Sequence, residues 1–461
     1  MIRPMFKKVY PFFTSASQVK FAFFVLAPYY LEFLFPLIFI KSPIKVPVTQ
    51  YWVDFSQMLY AFFVASVWFL LIFLVIAFPF KRSYAKRREW PTKLTLPLLL
   101  GFTVIGFIAS CINYLLVFPL NISQIIYVFI SLPLLSVVIA IYYLKFQFPA
   151  VVKNRQKIRL LVLLTVIFNS IIIVIFPILS GGINLLLFSV ITIIFAYTLM
   201  QPSWKKILMA CCFALALASV AQATKIWLRM HWYHGEVISK IDMRARTVQK
   251  AERTHYSQHE LNEVGQSSLS KTIKEHDLYH IPFVHNKYFY YPDYAFSKFV
   301  ARVDALPEFA VVVEKTPSEY PYWYEYSYKR IPAVFIPRLF WHSKPVDHVG
   351  NFYAHRYGFI EKNDHYTQDE MGGPPEAWVS FGWLGIIVSA LVFGFILRTI
   401  WMFLVGENPA LGNIFLASVI VFNAGRLESD AAIVLGNLFH VVLVYWLLEV
   451  FVRRYLVKMV K

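Results

Sequence analysis

Eleven of the twelve histidines fall between residues 229 and 375. Histidine, with a free pKa of about 6.5, is the side chain best suited to take a proton from a hydroxyl near neutral pH. Two stand out by their neighbours: His348 follows Asp347, and His355 precedes Arg356. Either fits the role of a general base, and a structural hydrogen-bonding role is the plain alternative for each. Metal binding is the competing use of such side chains. The pair His255 and His259 has the spacing for it but lies on a stretch that reads as a solvated helix, and no metal site is expected.

The same region gathers cations. Arg330, Arg338, Lys344 and Arg356 lie within 27 residues, and fixed cations just above a membrane suit a diphosphate on a lipid tail. Arginine presents a planar fork to phosphate oxygens and lysine a point charge; anchoring to lipid headgroups is the other reading. Glu376 follows Gly372-Gly373-Pro-Pro at the start of an apolar run. It suits the first turn of a helix, where prolines and a carboxylate are favoured, and equally the holding of an arginine or the orienting of a base. Arg426, with Glu428 and Asp430, ends a later apolar run and can face the same site or form an ion pair within the three. Six rings among residues 320 to 328 suit either stacking on sugars or an interfacial aromatic belt.

What must position these residues is mostly membrane. The chain has 461 residues, of which 58% are hydrophobic and 15% charged, and its apolar runs approach the roughly 20 residues needed to cross a bilayer. Ten spans are predicted near 19–40, 54–79, 94–118, 122–144, 158–178, 183–200, 206–228, 377–402, 410–427 and 432–452. The first reads as a retained helix, too long for a signal-peptide core. The fold class is thus an all-α polytopic membrane protein: a seven-helix region (1–228), a large, mainly helical outer loop (229–375) and a three-helix region (376–461). Within the loop, 236–264 predicts a polar helix, and Phe296, Phe299, Val300 and Val303 one face of a short amphipathic helix. The three cysteines, Cys111, Cys211 and Cys212, fall in predicted spans, so the loop has no disulfide.

The net charge of +18 does not point to nucleic acid. Residues 229–375 hold 18 Lys plus Arg and 18 Asp plus Glu, so the excess lies elsewhere, in alternate connections such as 81–93, 145–159 and 453–461. By the positive-inside rule both termini are cytoplasmic and the large loop is on the outer side, with the lipid bilayer as partner of the basic connections.

The stretch 330–385 resembles the oligosaccharide repeat-unit polymerases, the Wzy or O-antigen polymerase family. The likeness is carried by Pro337, Arg338, Trp341, Lys344 and Pro345, and by Gly372, Gly373, Glu376, Ala377, Trp378, Phe381, Gly382 and Gly385, about an eighth of the chain. The resemblance implies a bacterial inner-membrane glycosyltransferase of polysaccharide and lipopolysaccharide biosynthesis, with a periplasmic loop and no cofactor. It would polymerise repeat units carried on undecaprenyl diphosphate, without metal. On that reading His355, His348 and Glu376 are the catalytic candidates. Arg330, Arg338, Lys344, Arg356, Arg426, Trp341 and Trp378 would bind diphosphate and glycan, and a flippase and a chain-length regulator would be partners. The rival classes are an O-antigen ligase, which shares the donor, a glycolipid transporter, and a metal-dependent lipid-phosphate-sugar transferase. The last would want acidic ligands in the 41–53 connection, which has none.

Overall fold

The computed structural model describes residues 17–39, 43–46, 51–78, 85, 87–115, 126, 128–147, 155–180, 183–200, 216, 219–220, 305–336, 340–341, 344, 349–360, 371–406 and 410–456. The predicted seventh span lies almost wholly outside them. The predicted helix over 236–264 and the Phe296–Val303 face lie outside them altogether.

Among the described residues the regular structure is helical apart from one short antiparallel pairing, β1 (Ile44–Lys45) with β2 (Trp52–Val53). The helices are α1 (Ser17–Phe39), α2 (Phe55–Ala77), α3 (Thr92–Leu115), α4 (Leu132–Tyr142, continued by a π-helical turn), α5 (Arg155–Ser180), α6 (Ile183–Met200), α7 (Ala305–Lys315), α8 (Ile331–Val334), α9 (Val349–Tyr357), α10 (Gly373–Leu404), α11 (Leu411–Ala424) and α12 (Ala431–Phe451). Seven described helices are long and apolar enough to cross a membrane, and two shorter apolar ones, Leu185–Met200 and Leu411–Ala424, accompany them. The protein is therefore an all-α polytopic membrane protein. Nine of the ten predicted spans fall on these helices, but the eighth is not continuous: α10 is interrupted at Phe381 and Gly382.

Local chemistry explains the ends. Asp54, alone among carboxylates near the first connection, caps α2: its Oδ1 accepts from Gln57 N at 2.9 Å while Gln57 Oε1 accepts from Asp54 N at 2.7 Å, a reciprocal capping box. The Gln57 amide and the Ser56 hydroxyl hold its carboxyl below the usual carboxylate range. Gln57 Nε2 then donates to Glu314 Oε2 at 2.7 Å, tying α2 to α7. The reading of the sequence did not assign α7, an 11-residue helix with Phe309, Ala310, Val311 and Val312 buried. It packs against α1, α2 and α10. Between α3, α4 and α5, Asn169 Nδ2 donates to Thr103 Oγ1 at 2.8 Å, and the Thr103 and Ser136 hydroxyls are 2.8 Å apart, the interhelical polar contact expected where no water solvates such groups.

Glu449, near the C-terminal end of α12, is fully buried. Its carboxylate accepts from Arg88 Nη1 at 2.6 Å and Arg453 Nε at 3.2 Å. The Arg88 amide donates to Asn413 Oδ1 at 2.8 Å, and Asn413 Nδ2 donates to Val405 O at the end of α10 at 2.8 Å. The cluster thus joins the basic 85–91 connection, the α10–α11 turn and the C-terminal end of α12 at one end of the bundle. Replacing Glu449 by Ala strands two arginines, a change worth about 3–5 kcal/mol when one partner of a buried pair is removed. A lowered thermal-unfolding midpoint in detergent is expected, with part of the loss recovered in Arg88→Met/Glu449→Met; equal midpoints for E449A and wild type would show that the cluster does not hold these elements together.

Candidate functional site

At the opposite end of α12 the chain enters α10 between close neighbours. A Cβ at Gly372 would fall 2.0 Å from Tyr29 Oη and 2.4 Å from Leu427 O, and one at Gly373 would fall 2.4 Å from the Trp68 indole. Only glycine lets the backbone pass here, and Gly373 N donates to Leu427 O at 3.1 Å. Pro374 and Pro375 then fill the first turn, where an amide hydrogen has no helical partner. One turn in, Glu376 is 1% exposed, and its Oε2 accepts from Ala431 N at 2.7 Å. The carboxylate therefore serves the first turn of α12 as well as the dipole of its own helix. Asp430 completes that end by accepting from Ile433 N at 2.9 Å.

Arg426 belongs to the same connection. Its guanidinium lies 5.0 Å from the Phe422 ring centroid. Burial pulls its pKa down to about 10 while the nearby Glu428 works against that shift, so it is a cation at neutral pH. Glu376 and the 426–431 connection, placed together only as an expectation by the sequence, are thus in direct contact.

Five residues beyond Glu376, α10 breaks. Phe381 has φ −146° and ψ 16°, and Gly382 has φ 58° and ψ −134°. A break strips the preceding carbonyls of their helical donors. Two of them are met from outside: Trp323 N donates to Val379 O at 2.9 Å and Tyr324 N to Ser380 O at 3.0 Å. A Cβ at Gly382 would approach Tyr322 Oη to 2.6 Å, and one at Gly385 would lie 1.9 Å from Ala377 O, so the two halves of α10 close on each other only with glycine at 385. Around the break sits a polar cluster that the sequence reading missed. The Tyr328 phenol hydrogen-bonds with Ser380 and Ser389, and burial together with the Glu376 charge pushes it well above its ordinary value. Trp68 Nε1 donates to Ser389 Oγ at 2.9 Å, and Ser327 and Ser380 hydroxyls are 3.4 Å apart.

The other predicted residues occupy two places. Arg356 donates to Pro321 O and lies 5.3 Å from both the Tyr320 and Trp323 ring centroids, so the aromatic run folds on itself around a guanidinium; Tyr324 is its one exposed ring, at 55%. Burial, with a hydrogen bond and charge from Tyr51 adding to it, pushes the Tyr320 phenol up to about 12. Trp378 donates from Nε1 to Thr316 O at 3.1 Å, and the Thr316 hydroxyl bonds to that of Tyr357, which ties α10, α7 and α9. His355 is half-buried on α9 beside Arg356. The second place is along α12, where Arg330 precedes α8 with its guanidinium 5.2 Å from the Tyr326 ring, and Lys344 Nζ donates to Ile336 O at 3.1 Å. Trp341 is half-buried. Arg338 and His348 lie outside the described residues. Among the described residues no three His, Cys, Asp or Glu side chains gather to hold a metal ion.

No family model, curated protein or solved structure matches the chain.

Gly382 offers a direct check on the break. Gly382→Ala places a side chain at positive φ and against Tyr322, a strain of about 1–3 kcal/mol. Gly101→Ala is the control: it lies inside α3 with no atom within 4 Å of the new Cβ, where alanine is favoured by about 0.5–1 kcal/mol. Thermal unfolding in detergent is expected to fall for the first and to hold or rise for the second; the same response from both would mean the break is not fixed by Gly382.

Proposed function

We propose that the protein is a lipid-diphosphate-oligosaccharide polymerase. The observation that carries the reading is the docking of Gly372–Glu376 on the Arg426–Ala431 connection, which puts a buried carboxylate and an arginine cationic at neutral pH at one end of the bundle. Lys344 and Arg330 stand on a segment packed against the neighbouring helix α12. Cations so placed suit the diphosphate of a lipid-linked glycan, whose head lies at membrane depth while its tail stays in the hydrocarbon.

In the proposed reaction a polymer on undecaprenyl diphosphate donates its reducing-end sugar to a hydroxyl of a new lipid-linked repeat. The bond from the anomeric carbon to the diphosphate oxygen breaks, and a bond from that carbon to the acceptor oxygen forms. The acceptor proton passes to a base, His355 or His348, and undecaprenyl diphosphate leaves. Arg426 and Arg338 neutralise charge as it builds on the leaving diphosphate, an electrostatic contribution that grows toward the transition state. Glu376 keeps the Arg426 connection in register through Ala431. The basic connections support cytoplasmic termini, which put the site on the periplasmic side of a bacterial inner membrane. The substrate's own diphosphate linkage drives the reaction.

Deleting the gene in its host and resolving lipid-linked and surface glycans by gel and mass spectrometry tests the reading. Single repeat units on lipid with long chains lost are expected. Long chains retained on undecaprenyl diphosphate but missing from their final acceptor would make it a ligase instead, and unchanged glycans would remove both.

Two narrower results follow from the site. Arg426→Ala and Arg338→Ala are each expected to cut polymer by about 100-fold or more, the scale of one lost transition-state donor, with insertion unchanged. Lysine at 426 should recover only part, because it lacks the bidentate fork. Normal polymer from both alanine variants would dismiss the diphosphate clamp. Purified protein should also keep its activity in EDTA; loss that a divalent ion restores would favour the metal-dependent class.

A further inference from the structure

The twelfth histidine, His440, stands apart from the polar block, nine residues into α12 from Ala431, about 13 Å along the axis at 1.5 Å per residue. Its Nε2 lies 3.2 Å from the carbonyl oxygen of Phe335, the residue that closes α8. A carbonyl only accepts, so the contact is a hydrogen bond in the tautomer that carries its proton on this nitrogen, the backbone of Gly436 being the ring's other partner. A polar side chain at such depth in a span is costly unless it is used, and a packing role alone would be filled better by leucine or phenylalanine.

What His440 holds is a short strap. Helix α8 has four residues, too few to be stable by itself, and it leans on α12 at successive turns. A Cβ at Gly436 would come within 3.0 Å of Val334 Cβ, and the Phe335 and Phe439 rings meet edge to face at 5.1 Å. The strap is flanked by cations, Arg330 as the residue before α8 and Lys344 bonded back to Ile336 O. Lys344 is close enough for its charge to act on the His440 ring.

We infer that His440 is a positioning residue: its N–H fixes the Ile331–Ile336 strap on α12 and thereby sets where Arg330 and Lys344 meet the diphosphate of a lipid-linked glycan. The inference rests on the proposed function for its ligand, while the strap and its bond stand on the geometry.

The test is binding of undecaprenyl diphosphate to the full-length protein in nanodiscs, with wild type, His440→Phe and His440→Gln. H440F keeps a ring and loses the donor; H440Q keeps an N–H within reach of the same carbonyl. Affinity is expected to fall about tenfold in H440F, the scale of one net hydrogen bond, and to stay within about threefold of wild type in H440Q. Faster amide exchange over residues 331–336 should appear in H440F but not in H440Q. If H440F does not accumulate in membranes, His440→Leu and His440→Asn carry the same comparison. Wild-type affinity in H440F, or an equal loss in H440Q, overturns the positioning role and leaves the polymerase reading standing. Failure of the wild-type protein to bind the diphosphate more tightly than undecaprenyl monophosphate overturns that reading and the inference with it.

Discussion

Backbone carbonyls freed where a helix breaks need donors from elsewhere, and the break in α10 at Phe381 and Gly382 frees two of them. Trp323 and Tyr324 answer them with their amides. To do so, the aromatic run must lie against α10 with Tyr322 in the space that glycine leaves at 382. That demand fixes the other contacts in turn. With Trp323 docked, Arg356 is enclosed by Tyr320 and Trp323, and α9 is drawn to α10 through Thr316, Tyr357 and Trp378. The aromatic run 320–328 and α9 are therefore held by the broken span, without a disulfide.

The apolar organisation was legible because a bilayer imposes a length and a hydropathy that survive in one dimension. The break was not. A glycine inside an apolar run is common in membrane helices, and nothing in Phe381-Gly382 distinguishes a break from a straight helix until Trp323, some 58 residues earlier, is seen to bond there. Ser389 and Trp68 were missed for the same reason: each is ordinary alone, and only the fold brings α2, α10 and the aromatic run to one point. The Arg88–Glu449 pair joins residues 361 apart, and in the sequence Arg88 is only one of the cations of the basic 81–93 connection.

Glu376 shows the opposite case, where local signals were sufficient for the place but not for the partner. Gly-Gly-Pro-Pro-Glu announces a helix start by its own chemistry, and α10 begins there. That the carboxylate turns to Ala431 of another helix depends on the close approach of Gly372 and Gly373 to Leu427. Residue type predicted the charge near the site; backbone proximity decided which amide it serves.

Both parts of the proposed site refer to one helix. Glu376 and Asp430 meet the N-terminal turn of α12, and the strap bearing Arg330 and Lys344 lies on its next turns through Gly436 and His440. The far end of α12 is fixed by Glu449 between Arg88 and Arg453. A helix transmits position along its axis, so anchoring it at Glu449 also anchors the frame on which carboxylate and cations are set. On the proposed function the cations gain from such a frame, because misplacement of a charge by about an ångström weakens stabilisation that depends on preorganised geometry. In the proposed reaction, side chains of α10, of the connection between α11 and α12 and of the strap on α12 then act on one substrate although they are distant in sequence.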